Sequence, residues 1–179
     1  MLTITVPGEE LFNSETLKFS YTETTVLELE HSLVSLSKWE SRWNIPFLGK
    51  DKKSDEQIID YIRTMLLSPV DDAVLNRLSG ENYEQINTYI NEKQTATWFR
   101  EEPNGPANRE IITAEIIYYW MISLNVPIEF ENWHINRLFT QIKVLNQKNQ
   151  PKKKQNTQNA AAQRRALNEA RQRQYGTSG

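Results

Sequence analysis

The chain has 179 residues, no cysteine and a formal net charge of −2 at pH 7. That length predicts one domain large enough to bury a core, and the lack of cysteine excludes disulfides, thiolate metal sites and cysteine nucleophiles. The longest uninterrupted apolar and aromatic run, Ile116 to Ile122, is far short of the ~20 residues a membrane span needs. MLTITVPGEELF also lacks the charged start and long apolar centre of a signal peptide, so a cytosolic protein is expected.

Leu2 to Val6 alternates Leu, Ile and Val with Thr, the period-two pattern of a strand. Pro7-Gly8 marks a turn, Leu17 to Tyr21 alternates again, and Thr24 to Leu27 is β-branched. These segments predict a small β-hairpin, which needs helices or another strand to pack on. Thr95 to Phe99 is a candidate third strand. Leu29, Leu33, Leu36 and Trp43 recur at helical spacing and predict a helix over about 30–43, stopped before Pro46. Ser54 with Gln57 is a capping-box pair, and the helix it opens carries Ile58, Ile59, Tyr61, Ile62, Met65 and Leu66. Asp71 or Asp72 caps a short helix that Ser79-Gly80 stops, and Asn82 opens the next, with Tyr83, Ile86, Tyr89 and Ile90 on one side.

Glu101 to Ala107 is the clearest loop. Asn108 is the expected cap of a long helix, with Glu110 at its positive end. Arg109 to Lys148 is the most apolar and aromatic stretch. It predicts two packed helices joined at Asn125-Val126-Pro127, the second with Ile135, Leu138, Phe139, Ile142 and Leu145 on one face. Pro151 to Ala162 has no large apolar residue and reads as a linker or disordered segment. Ala160 to Gln174 has high helix propensity but only Leu167 to bury, so a helix that forms partly, or on binding, is expected.

Charge divides the chain. From Lys148 onward the cations are Lys148, Lys152, Lys153, Lys154, Arg164, Arg165, Arg171 and Arg173, against one carboxylate, Glu169: +7 for this tail and −9 for residues 1–147. A basic tail on an acidic body reads as an interaction arm. Tyr175 is its only aromatic, which gives no stacking platform for single strands, and the acidic body would repel DNA. A protein-binding arm is therefore favoured over a nucleic-acid arm.

Catalytic patterns are absent. The glycines are scattered and form no phosphate-cradling loop, and there is no Gly-x-Ser-x-Gly or His-Glu-x-x-His. Glu28 with His31 and Glu131 with His134 are both Glu-x-x-His, half of the di-iron bundle pattern. Glu115 could supply a third ligand but no fourth is evident, the residues before Glu28 read as strand and turn, and both glutamates fall at or before helix starts. The expected arrangement has Glu28 and Glu131 near helix N-termini and the histidines packed against Trp side chains, with no metal and no cofactor. Among the five tryptophans, Trp39, Trp43, Trp120 and Trp133 are candidates for partner contact, since Trp is enriched in binding hot spots; core packing is the competing explanation for each.

LELEHSLVSLSKWESRWNIPFL, DEQIIDYIRTM, REIITAEIIYYWMISLNVPIEFENWHINRLFTQIKV and RALNEARQRQ together resemble the tail assembly chaperones of long-tailed bacteriophages, over about Val26 to the C-terminus. The resemblance lies in long phrases, with no catalytic motif. It implies a non-enzymatic role: binding the long, aggregation-prone tape-measure protein, helping tail-tube protein polymerise around it, and often leaving before the particle is finished. Some such proteins are made in a short and a frameshifted long form. Relatives carry more positive charge and proline after the helical hairpin, whereas Gln155 to Gln158 here is polar and uncharged.

The expectation is thus a mainly α (α+β) protein. Residues 1–148 form a compact helical domain, with strands in 1–28 and helices in 29–148, and 149–179 a basic tail, partly helical or disordered. The expected function is tail morphogenesis in the host bacterial cytoplasm, through tape-measure and tail-tube protein and self-association. Partner contact is assigned to the four tryptophans and to Lys152, Lys153, Lys154, Arg164, Arg165, Arg171 and Arg173. A structural virion component, such as a neck or connector protein, and a nucleic-acid-binding module are the alternatives.

Overall fold

The structure, a computed structural model, describes residues 1–15, 17–99, 111–150 and 157–176. It is mainly α with a small N-terminal β element. The chain divides into two units, Met1–Asn146 and Gln147–Gly179.

Four short strands open the first unit: β1 (Leu2–Val6), β2 (Glu10–Asn13), β3 (Lys18–Tyr21) and β4 (Thr25–Leu29). β1 pairs antiparallel with β4, from Leu2 opposite Leu29 to Val6 opposite Thr25. β2 pairs with β3, from Glu10 opposite Tyr21 to Asn13 opposite Lys18. The two pairings share one register, so they are the inner and outer halves of a single ribbon. The interruption between them has a local cause. Pro7 has no amide hydrogen to donate. Glu9 stands opposite Thr22 in the shared register, and its N–H goes to the Thr22 hydroxyl at 2.7 Å rather than to the backbone. Arg77 Nη1 pins both sides of the break, donating to the Pro7 carbonyl at 2.9 Å and to Thr22 Oγ1 at 2.8 Å. A Cβ on Gly8 would stand 1.9 Å from the Thr22 carbonyl oxygen, so only glycine admits this close approach.

Helices follow: α1 (Leu33–Trp43), α2 (Asp55–Met65), the single turn α3 (Asp72–Leu75), α4 (Gly80–Asn91), α5 (Ala114–Ser123), a 3₁₀ turn (Ile128–Asn132) and α6 (Ile135–Asn149). Most starts have a visible reason. Ser32, Ser54 and Ser79 each accept from the amide three residues on, and Ser35, Gln57 and Asn82 reciprocate. Asp71 caps α3. Ser79-Gly80 therefore opens α4 and does not stop the turn before it, because the Ser79 oxygen accepts the Asn82 amide. The first long helix begins at Leu33, three residues later than its apolar spacing predicts, because β4 runs on to Leu29. α5 ends with Asn125 in the left-handed region, its N–H bonded to Ile122 O and that of Val126 to Met121 O. This is a Schellman close, with Pro127 preventing continuation.

Two apolar clusters share α1. Trp39 joins the inner ribbon (Ile4, Val6, Leu27, Leu29) to α2 and α4 through Ile62, Met65, Ile86 and Tyr89. Leu33 and Leu36 join α5 and α6 through Ile117, Met121, Ile135 and Leu138. Each fully buried aliphatic side chain here contributes roughly 1.5–3 kcal/mol. The free edge of β4 is closed by the end of α2: the Glu30 amide donates to Met65 O and the Leu67 amide to Glu28 O, which removes an unpaired strand edge.

Two expectations need correction. Residues 95–99 form no strand; their β-branched and aromatic content has no neighbouring strand to pair with among the described residues. The last helix, α7, runs Thr157–Tyr175, so the segment read as linker is already helical from Thr157, where alanine and glutamine outweigh the missing apolar face. The predicted loop at 101–107, the cap at Asn108 and Glu110 lie outside the described residues, and α5 begins only at Ala114.

Candidate functional site

α5 is the most apolar helix of the chain, with Glu115 and Ser123 its only polar residues apart from the tyrosine hydroxyls. One side carries Ala114, Ile117 and Met121 into the second cluster. The opposite side, at i, i+4 and i+7, presents Glu115, Tyr119 and Ile122, with Tyr119 66% and Ile122 75% exposed. Ile111 before the helix and Ile128 after it are exposed as well. Large apolar side chains gathered on one exposed face mark a contact surface, and here they stand beside a single carboxylate, Glu115. The helix is held firmly. Thr113, the residue before α5, makes no side-chain cap. Instead Glu40 of α1, buried, accepts the Ala114 amide at 2.7 Å and the Phe47 amide at 2.7 Å. Burial raises the Glu40 carboxyl above its usual range, and the two amide bonds pull the other way. Mid-helix, the Tyr118 hydroxyl donates to Glu131 of the 3₁₀ turn at 2.9 Å.

The tryptophans separate by environment. Trp39 is fully buried, its Nε1–H on Gln57 O at 2.8 Å; it has no ring surface to offer a partner, and its assignment to partner contact is corrected to core packing. Trp43 is half-buried and donates to Asp60 Oδ2 at 2.9 Å. Asp60 is buried and ion-paired with Arg42 and Arg63, so Trp43 belongs to a structural network. Trp133 is stacked between Phe130, centroids 3.7 Å apart, and the Arg137 guanidinium, 3.9 Å from its centroid, so both ring faces are occupied. Trp120 is half-buried against the second cluster. Trp98, not among the candidates, is the most exposed of the five at 77%; its absence of apolar neighbours at helical spacing was the available signal.

The two histidines do come together, and their chemistry is structural. Their rings meet edge to face at 5.0 Å, where β4 passes into α1 and the 3₁₀ turn passes into α6. His31 packs on Tyr61 and Phe47, and His134 on Tyr89, in place of the expected tryptophans. His31 Nδ1 and the Tyr61 hydroxyl share a hydrogen bond of 2.5 Å. His134 Nδ1 accepts the Asn136 amide at 3.2 Å, so Nε2 carries the proton and donates to Tyr89 O at 3.0 Å. Tyr89 in turn donates to Glu30, which also pairs with the N-terminal ammonium at 2.7 Å. Burial, with the repulsion that two charged imidazoles 5.0 Å apart would feel, lowers the His31 pKa to about 3; burial also lowers that of His134. Glu28 is exposed on β4 and Glu131 is taken by Tyr118. Among the described residues no three His, Asp or Glu side chains form a metal-binding group.

A pocket of about 340 Å³ opens between α2 and α4, lined by Phe47, Ile58, Ile62, Tyr83 and Ile90, with the Lys53 ammonium over the Phe47 ring at 4.7 Å. In the second unit Arg164, Arg165, Arg171 and Arg173 are all exposed on α7. Lys152, Lys153 and Lys154 lie outside the described residues. No helix among the described residues is long and apolar enough to cross a membrane. Searches of protein-family models, curated proteins and solved structures find no match to this chain.

Proposed function

We propose that the protein is a non-enzymatic binding factor of phage tail assembly, gripping tape-measure or tail-tube protein through the outer face of α5. The observation that carries this reading is the α5 face itself. Tyr119 and Ile122 stand in water on a helix whose start is bonded to Glu40, whose end is closed by the Asn125 and Val126 amides and whose inner face is packed. A large apolar side chain held outward on a well-packed element is what a hot spot requires. The phrases resembling tail assembly chaperones supply the client: a long helical protein with apolar stripes of its own.

Co-expression tests the reading. Tape-measure protein should stay soluble with the wild-type chain and precipitate with the Tyr119→Ser/Ile122→Ser variant. Equal solubility with both chains removes the α5 face from the account. A nucleic-acid arm is the second reading, favoured by the four exposed arginines of α7 against the single Glu169. It requires binding that weakens steeply as salt rises, and no binding at low salt removes it.

A further inference from the structure

We propose that the paired strands of the outer half of the N-terminal ribbon, β2 (Glu10–Asn13) and β3 (Lys18–Tyr21), form a second docking strip, fitted to an amphipathic helix of a partner protein whose apolar stripe is flanked by lysine or arginine. Residues directly opposite one another in an antiparallel pair share a face, and alternate residues return to it. The inner half places Ile4, Val6, Leu27 and Leu29 on the buried face. Continuing the same register brings Phe12, Phe19 and Tyr21 to that face in the outer half, together with Glu10, which accepts the Tyr21 hydroxyl at 2.5 Å. The strip is therefore a continuation of the core face past the point where the core ends. Phe12 and Phe19 are directly opposite, with ring centroids 4.9 Å apart. They are 54% and 61% exposed, and Tyr21 is 74% exposed.

The kind of partner follows from two observations. The inner half of this face is closed by the helices α2 and α4, through Ile62, Met65, Ile86 and Tyr89. A helix is thus the element this ribbon face already accommodates. The charge is also one-sided: between Glu9 and Glu23 the sequence has four carboxylates and one ammonium, Lys18. Acidic flanks beside an aromatic strip favour a basic amphipathic helix, and they oppose insertion into anionic lipid. The root of the strip is fixed by Arg77 on Pro7 and Thr22. The proposal rests on the reading of this chain as a binder of proteins, and names a surface distinct from α5.

The test uses the full chain and a synthetic helical peptide of about 18 residues, five turns, with leucine at i, i+3, i+4 and i+7 and lysine on both sides. A control peptide has glutamate for lysine. Fluorescence anisotropy should show the lysine peptide binding the wild-type chain. The Phe12→Ser/Phe19→Ser variant should bind at least about tenfold more weakly, as loss of paired aromatic anchors predicts, with an unchanged melting temperature. If that variant does not fold, Tyr21→Lys serves, since it keeps the ribbon, removes one aromatic anchor and adds a positive charge to the strip. Equal binding by the variants, equal binding of the glutamate peptide, or no binding of either peptide overturns the proposal. So does a ribbon variant that only turns a dimer into a monomer, because the occupant is then a second copy. Client capture separates this from the α5 reading. If wild type and ribbon variant hold tape-measure protein equally and bind the lysine peptide equally, the ribbon proposal falls and the function stands. If neither holds it while the lysine peptide still binds through the strip, the function falls and the strip stands.

Discussion

Glu40 is a carboxylate of α1 that caps a helix far along the chain. Removing it as Glu40→Ala leaves the buried amides of Ala114 and Phe47 without acceptors, which costs about 2–4 kcal/mol. Urea denaturation should show that loss, with a smaller one for Glu40→Gln, whose amide oxygen can still accept one bond. A loss under about 0.5 kcal/mol for Glu40→Ala would contradict the capping role. His31 makes stability depend on pH. The unfolded chain takes up its proton near the ordinary histidine value of about 6.5, whereas the folded ring resists down to about 3. In that window the unfolded state binds more protons, so stability is full above about pH 6.5 and falls as the pH drops towards 3, by an amount on the order of a few kcal/mol. Glu40, raised by burial, works in the opposite direction just above the ordinary carboxylate range. Comparing wild type with His31→Gln in urea at several pH values separates the His31 share from that of His134, which burial also lowers: the variant should show a shallower slope between pH 6.5 and 4.5, and parallel curves would refute it. Neither contact is visible in the sequence. Glu40 and Ala114 are 74 residues apart, and a Glu-x-x-His spacing cannot tell that its histidine meets another histidine instead of its own glutamate.

Elements were legible where their signals are local. Ser54 with Gln57 marks the start of α2, and Asn125-Val126-Pro127 marks the end of α5, because caps are made by neighbours in sequence. Ser32 with Ser35 forms an equivalent box but is harder to read, since serine at the third helical position is less distinctive than glutamate or glutamine. Thr95 to Phe99 has strand composition without a strand, because pairing depends on what lies alongside. Three of the ribbon's four strands were legible; β2 was not, and Pro7-Gly8, read as a turn, is a break that the pairing runs through in one register. Gly8 and Gly80 test that break. Gly8→Ala sets a Cβ against the Thr22 carbonyl and should lower stability by about 1–3 kcal/mol. Gly80→Ala meets nothing within 4 Å and should leave stability unchanged or slightly higher. Thermal unfolding of the pair reads this directly; equal midpoints would mean the ribbon tolerates a shift at Gly8. The uncovered face of α5 could be anticipated as an apolar run, but which side stays in water is settled only by the packing of Ile117 and Met121.

At the scale of the whole molecule the dominant feature is the split between a −9 body and a +7 tail. If the tail mediates association, deleting residues 150–179 should reduce self-association or client binding in sedimentation and pull-down assays while the melting temperature of the body stays within a few degrees. Unchanged association and unchanged client binding would show that the tail has neither role. The central claim is that this chain acts by holding a tail protein on the outer face of α5. Affinity capture of the tagged chain from infected cells, read by mass spectrometry, tests it most directly. Tape-measure or tail-tube protein should be recovered with the wild-type chain and lost with Tyr119→Ser/Ile122→Ser. Recovery of neither protein with the wild-type chain, or equal recovery with the variant, would contradict the account.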